Sequence, residues 1–127
     1  DYQDAYQPGA RRFDVGEASN FFLTPVAEAS LHQLLEWGVE NIAETLGSKT
    51  DRIAEKAGAL GYKVPPKAMR SPHLIGLTLP GGVPKDLSLT LSEKNIYVSV
   101  RGDAIRIAPH LYTTDDDLAR LFEALQQ

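Results

Sequence analysis

Arg106 is the side chain whose predicted surroundings are best suited to binding an anion. Two alternating stretches within segment 95–108 flank the dipeptide Gly102-Asp103, which predicts a β-hairpin with a two-residue turn. That turn length pairs Ser99 with Arg106, so the guanidinium stands in mid-strand beside a hydroxyl and small residues. A rigidly held guanidinium can bind a carboxylate through two parallel hydrogen bonds. The pattern alone favours an ordinary solvated strand arginine and leaves a carboxylate site as the alternative.

The three histidines are too scattered along the chain to predict a metal site. His32 falls within a predicted helix and His73 begins a predicted strand, so we expect both to be structural. His110 follows Arg106 closely, and we expect it to help position either Tyr112 or a bound substrate. The acidic run 115–117 is predicted to begin the last helix, where negative charge compensates the helix dipole, rather than to bind a cation. The sequence therefore predicts no metal ion.

The composition excludes several classes of function. Lysine and arginine number 13 against 17 aspartate and glutamate residues, so the net charge is −4 over 127 residues, and no long basic run predicts binding to nucleic acid. The chain has no cysteine, which rules out disulfides, metal centres with cysteine ligands and a thiol nucleophile. Its longest apolar runs are only a few residues, so neither a membrane span nor a signal peptide is predicted. We expect a cytoplasmic protein with one modest core.

Two helices are predicted in the first half of the chain. Thr24, followed by a proline, is typical of a helix start, and apolar residues at helical spacing continue to a stop signal at Gly38. A long amphipathic helix is predicted over 39–61, with one apolar stripe. Its charged residues, Lys49 and Asp51 among them, are predicted to face water.

The second half of the chain is predicted to form a small sheet covered by helices. Its element order is β-α-β-β-α, with strands at 73–79, 95–100 and 104–108 and a last helix capped by Thr114. The predicted fold class is α+β: a short antiparallel-type sheet of about three strands with helices on one face, preceded by the long linking helix. The hairpin register places Val98, Val100, Ile105 and Ile107 on the face under the helices, and Tyr97, Ser99, Arg101, Arg106 and Ala108 on the other.

Segment 1–22 holds aromatic residues without the period of a helix or a strand. These side chains favour burial, yet they have no local element to pack against. The chain also begins with Asp1 and carries its single methionine at Met69. We therefore expect a piece of a longer protein, which self-associates through this apolar surface when it is alone.

The end of the chain carries the motif on which a resemblance to a known family rests. Residues 106–114 read RIAPHLYTT and are followed by an acidic helix start. This run resembles the C-terminal end of class V aminotransferases, a group of pyridoxal-phosphate (PLP) enzymes of fold type I that includes kynureninases, cysteine desulfurases and isopenicillin-N-epimerase-like proteins. The family pattern is an arginine, a proline and Tyr-Asn-Thr before the last helix. Thr113 stands here where the asparagine is usual.

Further segments extend the resemblance over nearly the whole chain, through their order and spacing. They are RFDVG at 12–16 with Asn20 after it, WG at 37–38 and SPHLIG at 71–76. The resemblance implies that residues 1–38 are a loop and a helix remaining from the large PLP-binding domain. It implies that residues 39–127 are the C-terminal small domain with its linking helix.

The resemblance also implies roles for individual residues. Arg106 would bind the α-carboxylate of an amino-acid substrate, with Ser99 and His110 beside it. Gly16 and Glu17 would lie near the phosphate of PLP across the interface of a homodimer. A glutamate beside a phosphate is repulsive, and many members have Gly-Thr at this place.

The activity implied is that of an aminotransferase, an epimerase-like protein or a lyase. The absence of cysteine and the two-residue turn before Arg106 disfavour a cysteine desulfurase. PLP enzymes need a Schiff-base lysine, and no lysine here matches the family's lysine motif. We therefore expect the piece alone to be inactive and to bind PLP weakly or not at all. The alternative is a stand-alone α+β module that binds a small molecule or a partner without catalysis.

Overall fold

The computed structural model describes residues 4–14, 16 and 20–126 and divides into two compact units, Asp1–Trp37 and Gly38–Gln127. The first unit contains a short 3₁₀ helix, Gly9–Phe13, and helix α1, Leu23–Trp37. Every described residue of this unit is exposed. The aromatic side chains of this unit that the structure describes are therefore not buried within it.

Asn20, and not Thr24, caps the N-terminus of α1. The Leu23 amide donates to Asn20 Oδ1 at 2.8 Å, and the Thr24 amide donates to the Asn20 carbonyl at 3.1 Å. The predicted cap at Thr24 is therefore wrong. An asparagine directly before an aromatic pair can end an extended segment and start a helix equally well, because its side chain accepts hydrogen bonds from the orphan amides.

Helix α2, Val39–Ala59, follows α1 after a single residue. That residue, Gly38, has φ 79°, a conformation that glycine adopts without strain, and a Cβ there would lie 2.8 Å from Asn41 Nδ2. The predicted stop is confirmed. One stripe of α2 is buried, as its period predicts, and consists of Leu46, Thr50, Ile53 and Ala57.

The sheet has three short antiparallel strands in the order β1-β3-β2. They are β1, Ile75–Thr78, β2, Ser99–Arg101, and β3, Ala104–Ile107. The turn between β2 and β3 uses Gly102 at φ 60°. Ser99 pairs with Arg106 and Arg101 with Ala104, so the predicted register is confirmed. The α+β fold class predicted from the sequence is confirmed as well.

The core lies on one face of this sheet, under α2 and the last helix, α4, Asp115–Leu125. Tyr62 also contributes, and its hydroxyl donates to the Leu125 carbonyl at 3.2 Å. Burying these apolar side chains is the main stabilising contribution to this unit. The core side chains are Ile53, Ala57, Tyr62, Ile75, Leu77, Ile105, Ile107, Leu118, Leu121 and Leu125.

Strand β2 is shorter than the alternating segment 95–100 predicts. The reason is Asn95, whose φ of 58° closes the short helix α3, Leu87–Glu93. The amide of Ile96 donates to the Leu91 carbonyl at 2.9 Å, so this backbone completes the helix end instead of a strand. The pairing of β2 with β3 therefore ends at Ser99 and Arg106, and the chain segments diverge beyond it.

Helix α4 begins with a complete capping box, in agreement with the predicted cap. The Asp117 amide donates to Thr114 Oγ1 at 3.2 Å, and the Thr114 amide donates to Asp117 Oδ2 at 2.9 Å. The bond from the Thr114 backbone is the largest of the causes that hold the pKa of Asp117 below its ordinary value. The box fixes the point at which the loop after β3 becomes helix.

We expect Thr114→Ala to lower the free energy of unfolding by about 1 kcal/mol, because it removes the hydroxyl that accepts the Asp117 amide. Urea denaturation followed by circular dichroism measures this change. Thr114→Ser keeps the hydroxyl and should retain most of the stability. Equal losses in the two variants would show that the hydroxyl is not the stabilising group.

Candidate carboxylate-binding site

Arg106 lies in the central strand of the sheet, with Gly76 of β1 as its partner on one side and Ser99 of β2 on the other. Hydrogen-bond ladders on both sides therefore fix its backbone. Ile105 and Ile107 point into the core, so alternation along β3 turns Arg106 to the opposite face. The sequence prediction that this arginine stands in mid-strand beside Ser99 and small residues agrees with this placement.

The guanidinium of Arg106 is exposed and makes few bonds within the described residues. Its Nη2 lies 3.5 Å from Ser99 Oγ, a long contact, and no described carboxylate forms an ion pair with it. On the other side, a Cβ built at Gly76 would meet no heavy atom within 4 Å. The geometry thus provides a charged, multi-donor group with open space beside it.

His110 lies in the turn that follows β3. Its ring is exposed and stacks on that of Tyr112, with centroids 4.5 Å apart. The His110 amide donates to Thr113 Oγ1 at 2.9 Å, and the Thr113 amide donates to the His110 carbonyl at 3.0 Å. Thr113, which departs from the family pattern, therefore closes this turn through its own hydroxyl.

Helix α2 holds the turn from the other side. Lys49 Nζ donates to the carbonyl of Leu111 at 3.2 Å and to that of Thr113. One helical turn further on, Arg52 Nη1 forms an ion pair with Asp115 Oδ1 at 2.5 Å. This bond from Arg52 is the main reason why the pKa of Asp115 lies below its ordinary value.

The same stretch of α2 binds a second loop. Asp51 forms ion pairs with Lys67 at 2.6 Å and with Arg70 at 2.7 Å, and the bond from Lys67 contributes most to lowering the pKa of Asp51. Thr50 Oγ1 donates to the carbonyl of Pro72 at 3.2 Å. The prediction that Lys49 and Asp51 face water is therefore wrong, because each makes a tertiary contact far along the chain.

Beyond Ser99, the divergence of the chain segments opens a cavity of about 280 Å³. It lies between segment 95–98 and segment 107–109, and Ile53, Leu118 and Leu121 contribute to its lining. Tyr97 and Ala108 also line it, one from each of these segments. Sequence reasoning missed this cavity, since the predicted longer hairpin would have closed it.

Of the two residues predicted to lie near the phosphate of PLP, the structure describes only Gly16. This glycine is exposed, and a Cβ built there would meet nothing within 4 Å, whereas Glu17 lies outside the described residues. Their contact with a PLP phosphate across the interface of a homodimer therefore stays a prediction.

Two of the lysines do not fit a Schiff base with PLP. Lys49 donates to backbone carbonyls and Lys67 to Asp51, and neither of the residues paired with Arg106 across the sheet is a lysine. A Schiff-base lysine needs an available amine beside the reacting carbon. That this chain lacks such a lysine and binds PLP weakly or not at all stays a prediction.

The other two histidines lie at exposed positions. His32 lies 3.8 Å from Glu28 on the exposed surface of α1, and His73 is exposed just before β1. Among residues 4–14, 16 and 20–126, no group of three or more histidines, aspartates and glutamates could hold a metal ion. No helix in that part of the chain is long and apolar enough to cross a membrane.

Comparison with known proteins relates the chain to others through structure. No protein-family model matches it, and no curated protein matches its sequence. A NifS-like protein superposes with a TM-score of 0.74 at 19% identity, over 96% of this chain and 37% of that protein. Alanine–glyoxylate aminotransferase from Nostoc sp. superposes with a TM-score of 0.67 at 20% identity, over 94% of this chain and 34% of the enzyme.

The chain thus spans about a third of the length of each of these two proteins. At such low identity the likeness establishes the fold. The resemblance to class V aminotransferases that the motifs carry is confirmed at that level: the chain has the fold of about one third of an aminotransferase and of a NifS-like protein.

Proposed function

We propose that this chain is the C-terminal part of a PLP-dependent, class V aminotransferase-like enzyme that acts on an amino acid, and that Arg106 binds the α-carboxylate of its substrate. The observation that carries the proposal is the placement of Arg106. The guanidinium projects from the central strand, has no described acidic partner and has open space above Gly76. By contrast, Arg52, Arg70 and Arg120 each form an ion pair with an aspartate.

The division of the chain into two units supports the proposal that it contains parts of two domains of the enzyme. Residues 1–38 belong to the large PLP-binding domain, and residues 39–127 form the small domain with its linking helix α2. The boundary between the two compact units falls between Trp37 and Gly38 in the sequence. The other two thirds of the aminotransferase fold carry the Schiff-base lysine and the phosphate site, so the 127-residue chain alone is inactive and holds no PLP.

Arg106 serves an aminotransferase, an epimerase-like enzyme or a lyase equally, because each of these enzymes must orient an amino acid by its α-carboxylate. In the proposal, two parallel hydrogen bonds from the guanidinium fix that carboxylate. Ser99 supports Arg106 from the neighbouring strand, and His110 contacts the substrate from the turn after β3. The absence of cysteine agrees with a cytoplasmic enzyme.

The first test compares the complete reading frame that encodes this chain with the 127-residue chain, both purified with PLP present. We expect the complete protein to show a visible absorption band of bound PLP that borohydride removes, and the chain to show none. PLP absorbs in this way when it is bound to an enzyme lysine. A complete protein without that band would contradict the proposal.

The second test addresses Arg106 in the 127-residue chain. Titration with acetate at constant ionic strength should shift the amide resonances of Gly76 and Ser99, which flank the guanidinium. Arg106→Ala should weaken acetate binding about 10-fold or more, since a hydrogen bond to a charged group contributes roughly 1.5–3 kcal/mol. Arg101→Ala is the matched control on the same sheet face and should change the affinity less than twofold. Equal effects of the two substitutions would contradict a specific site.

We also propose that the first unit is an interface, formed in the enzyme by the rest of the large domain or by the partner of a homodimer. Its exposed apolar side chains are too numerous for a surface that stays in water. They are Tyr6, Phe13, Phe21, Phe22, Leu23, Val26, Leu31, Leu34, Leu35 and Trp37.

The isolated chain should therefore self-associate above its monomer mass of 13.9 kDa. Sedimentation velocity over a range of concentrations measures this. Replacing Phe22 and Leu35 by serine should shift the chain toward monomer, because it removes exposed apolar area. Leu89→Ser, at an exposed position of the second unit, is the control and should leave the association unchanged. A wild-type chain that is monomeric at every concentration would contradict the interface.

The alternative function is a small-molecule-binding module without catalysis. The cavity of about 280 Å³ beside the sheet favours it, because this chain forms that cavity from its own residues. Its volume is near the lower end for ligand pockets, which begin at roughly 300 Å³. The two functions differ in the complete reading frame: a binding module has no PLP band and binds its carboxylate ligand without further domains.

A further inference from the structure

Lys49 is a half-buried lysine whose ammonium group donates to two carbonyls of one turn, those of Leu111 and Thr113. A carboxylate is the usual partner of such a group, and Asp115 and Asp117 both lie near enough for the charge of Lys49 to lower their pKa. Lys49 nevertheless forms no ion pair among the described residues. Its hydrogen bonds go to backbone carbonyls instead, and these carbonyls belong to the turn after the central strand β3.

That turn is tied to Arg106 by a short and well-fixed piece of chain. Between Arg106 and His110 lie Ile107 and Pro109, both of which are buried. Strand β3 therefore fixes one end of this piece, and the bonds of Lys49 fix the other. The location of His110 relative to Arg106 depends on both anchors.

The other bonds at the turn cannot replace Lys49. The bonds between His110 and Thr113 close the turn internally but attach it to nothing else. The ion pair between Arg52 and Asp115 acts beyond the turn and involves exposed side chains, so it contributes little. Lys49 is the described side chain that connects the turn itself to α2 and hence to the core.

We propose that Lys49 is a positioning residue of the carboxylate site: it fixes the turn 110–113 on α2 and thereby places His110 beside the ligand of Arg106. The inference rests on the proposed function, namely that Arg106 binds a carboxylate and that His110 contacts it. It assigns to α2 a role in the affinity of the site, in addition to its role in the core.

The test uses the 127-residue chain with three substitutions on α2. Lys49→Met keeps the length of the side chain but removes its charge and donors, and Lys49→Arg keeps both. Lys56→Met is the matched control, because Lys56 lies on the same helix, is exposed and has no described partner.

Two readouts separate positioning from general stability. Hydrogen exchange of the Thr113 amide, which donates to His110, should become at least 10-fold faster in Lys49→Met, while exchange of the Ile105 amide in the central strand stays unchanged. The dissociation constant for acetate should rise two- to fivefold. Lys49→Arg should restore both values, and Lys56→Met should alter neither.

Unchanged exchange of Thr113 in Lys49→Met, or unchanged acetate affinity despite faster exchange, would overturn the role of Lys49. A wild-type chain that does not bind acetate would instead overturn the carboxylate site, so the two failures are distinguishable. A measurement on the wild type covers the case in which Lys49→Met does not fold. Trace acetylation followed by mass spectrometry should modify Lys49 at least 10-fold more slowly than Lys56, and equal rates would overturn the proposal.

Discussion

The placement of the loops next to the sheet depends on one turn of α2, residues 49–52, whose four consecutive side chains bind two segments of the chain. Consecutive residues of an α-helix are about 100° apart, so four of them reach almost all around the helix. Lys49 and Arg52 bind the segment that follows β3, whereas Thr50 and Asp51 bind the segment that precedes β1. Because Ile75 pairs with Ile107, these two segments lie at the same end of the sheet, and that end is attached to one turn of helix.

In this arrangement, the face of the sheet that carries Arg106 contributes little to stabilising the fold. The core and the polar contacts of α2 lie on the helical side, so Arg106 is not needed as a structural ion pair. Arg70 shows the contrast, because its guanidinium is largely buried against Asp51 and one of its nitrogens, Nη1, has no hydrogen-bond partner. A buried charge of that kind is costly to disturb, whereas an exposed one remains available to a ligand.

The features predicted correctly from the sequence are those set by local rules. The hairpin register follows from a two-residue turn and strict alternation, and the start of α4 follows from a threonine and an aspartate three residues apart. These signals lie within a few residues of the structure they specify. The placement of Arg106 opposite Ser99 is therefore predictable without any knowledge of the rest of the chain.

The features missed are those set by contacts between distant residues. A lysine in a solvated stripe and Lys49 look alike in sequence, since the carbonyls that Lys49 binds are more than sixty positions away. Asn95 ends a helix within an alternating segment, and no period distinguishes that role from a strand position. The cap at Asn20 was missed because two residues near the helix start are suitable and only hydrogen-bond geometry selects one.

Gly76 lies in the edge strand β1, opposite Arg106, and contributes no side chain to the face that carries the guanidinium. Its φ does not lie in the region reserved for glycine, and a Cβ added to it would meet no neighbouring atom. Neither backbone conformation nor packing therefore requires a glycine here, so this position offers evolution and protein engineering a way to change the size and polarity of the space beside Arg106 without rebuilding the scaffold.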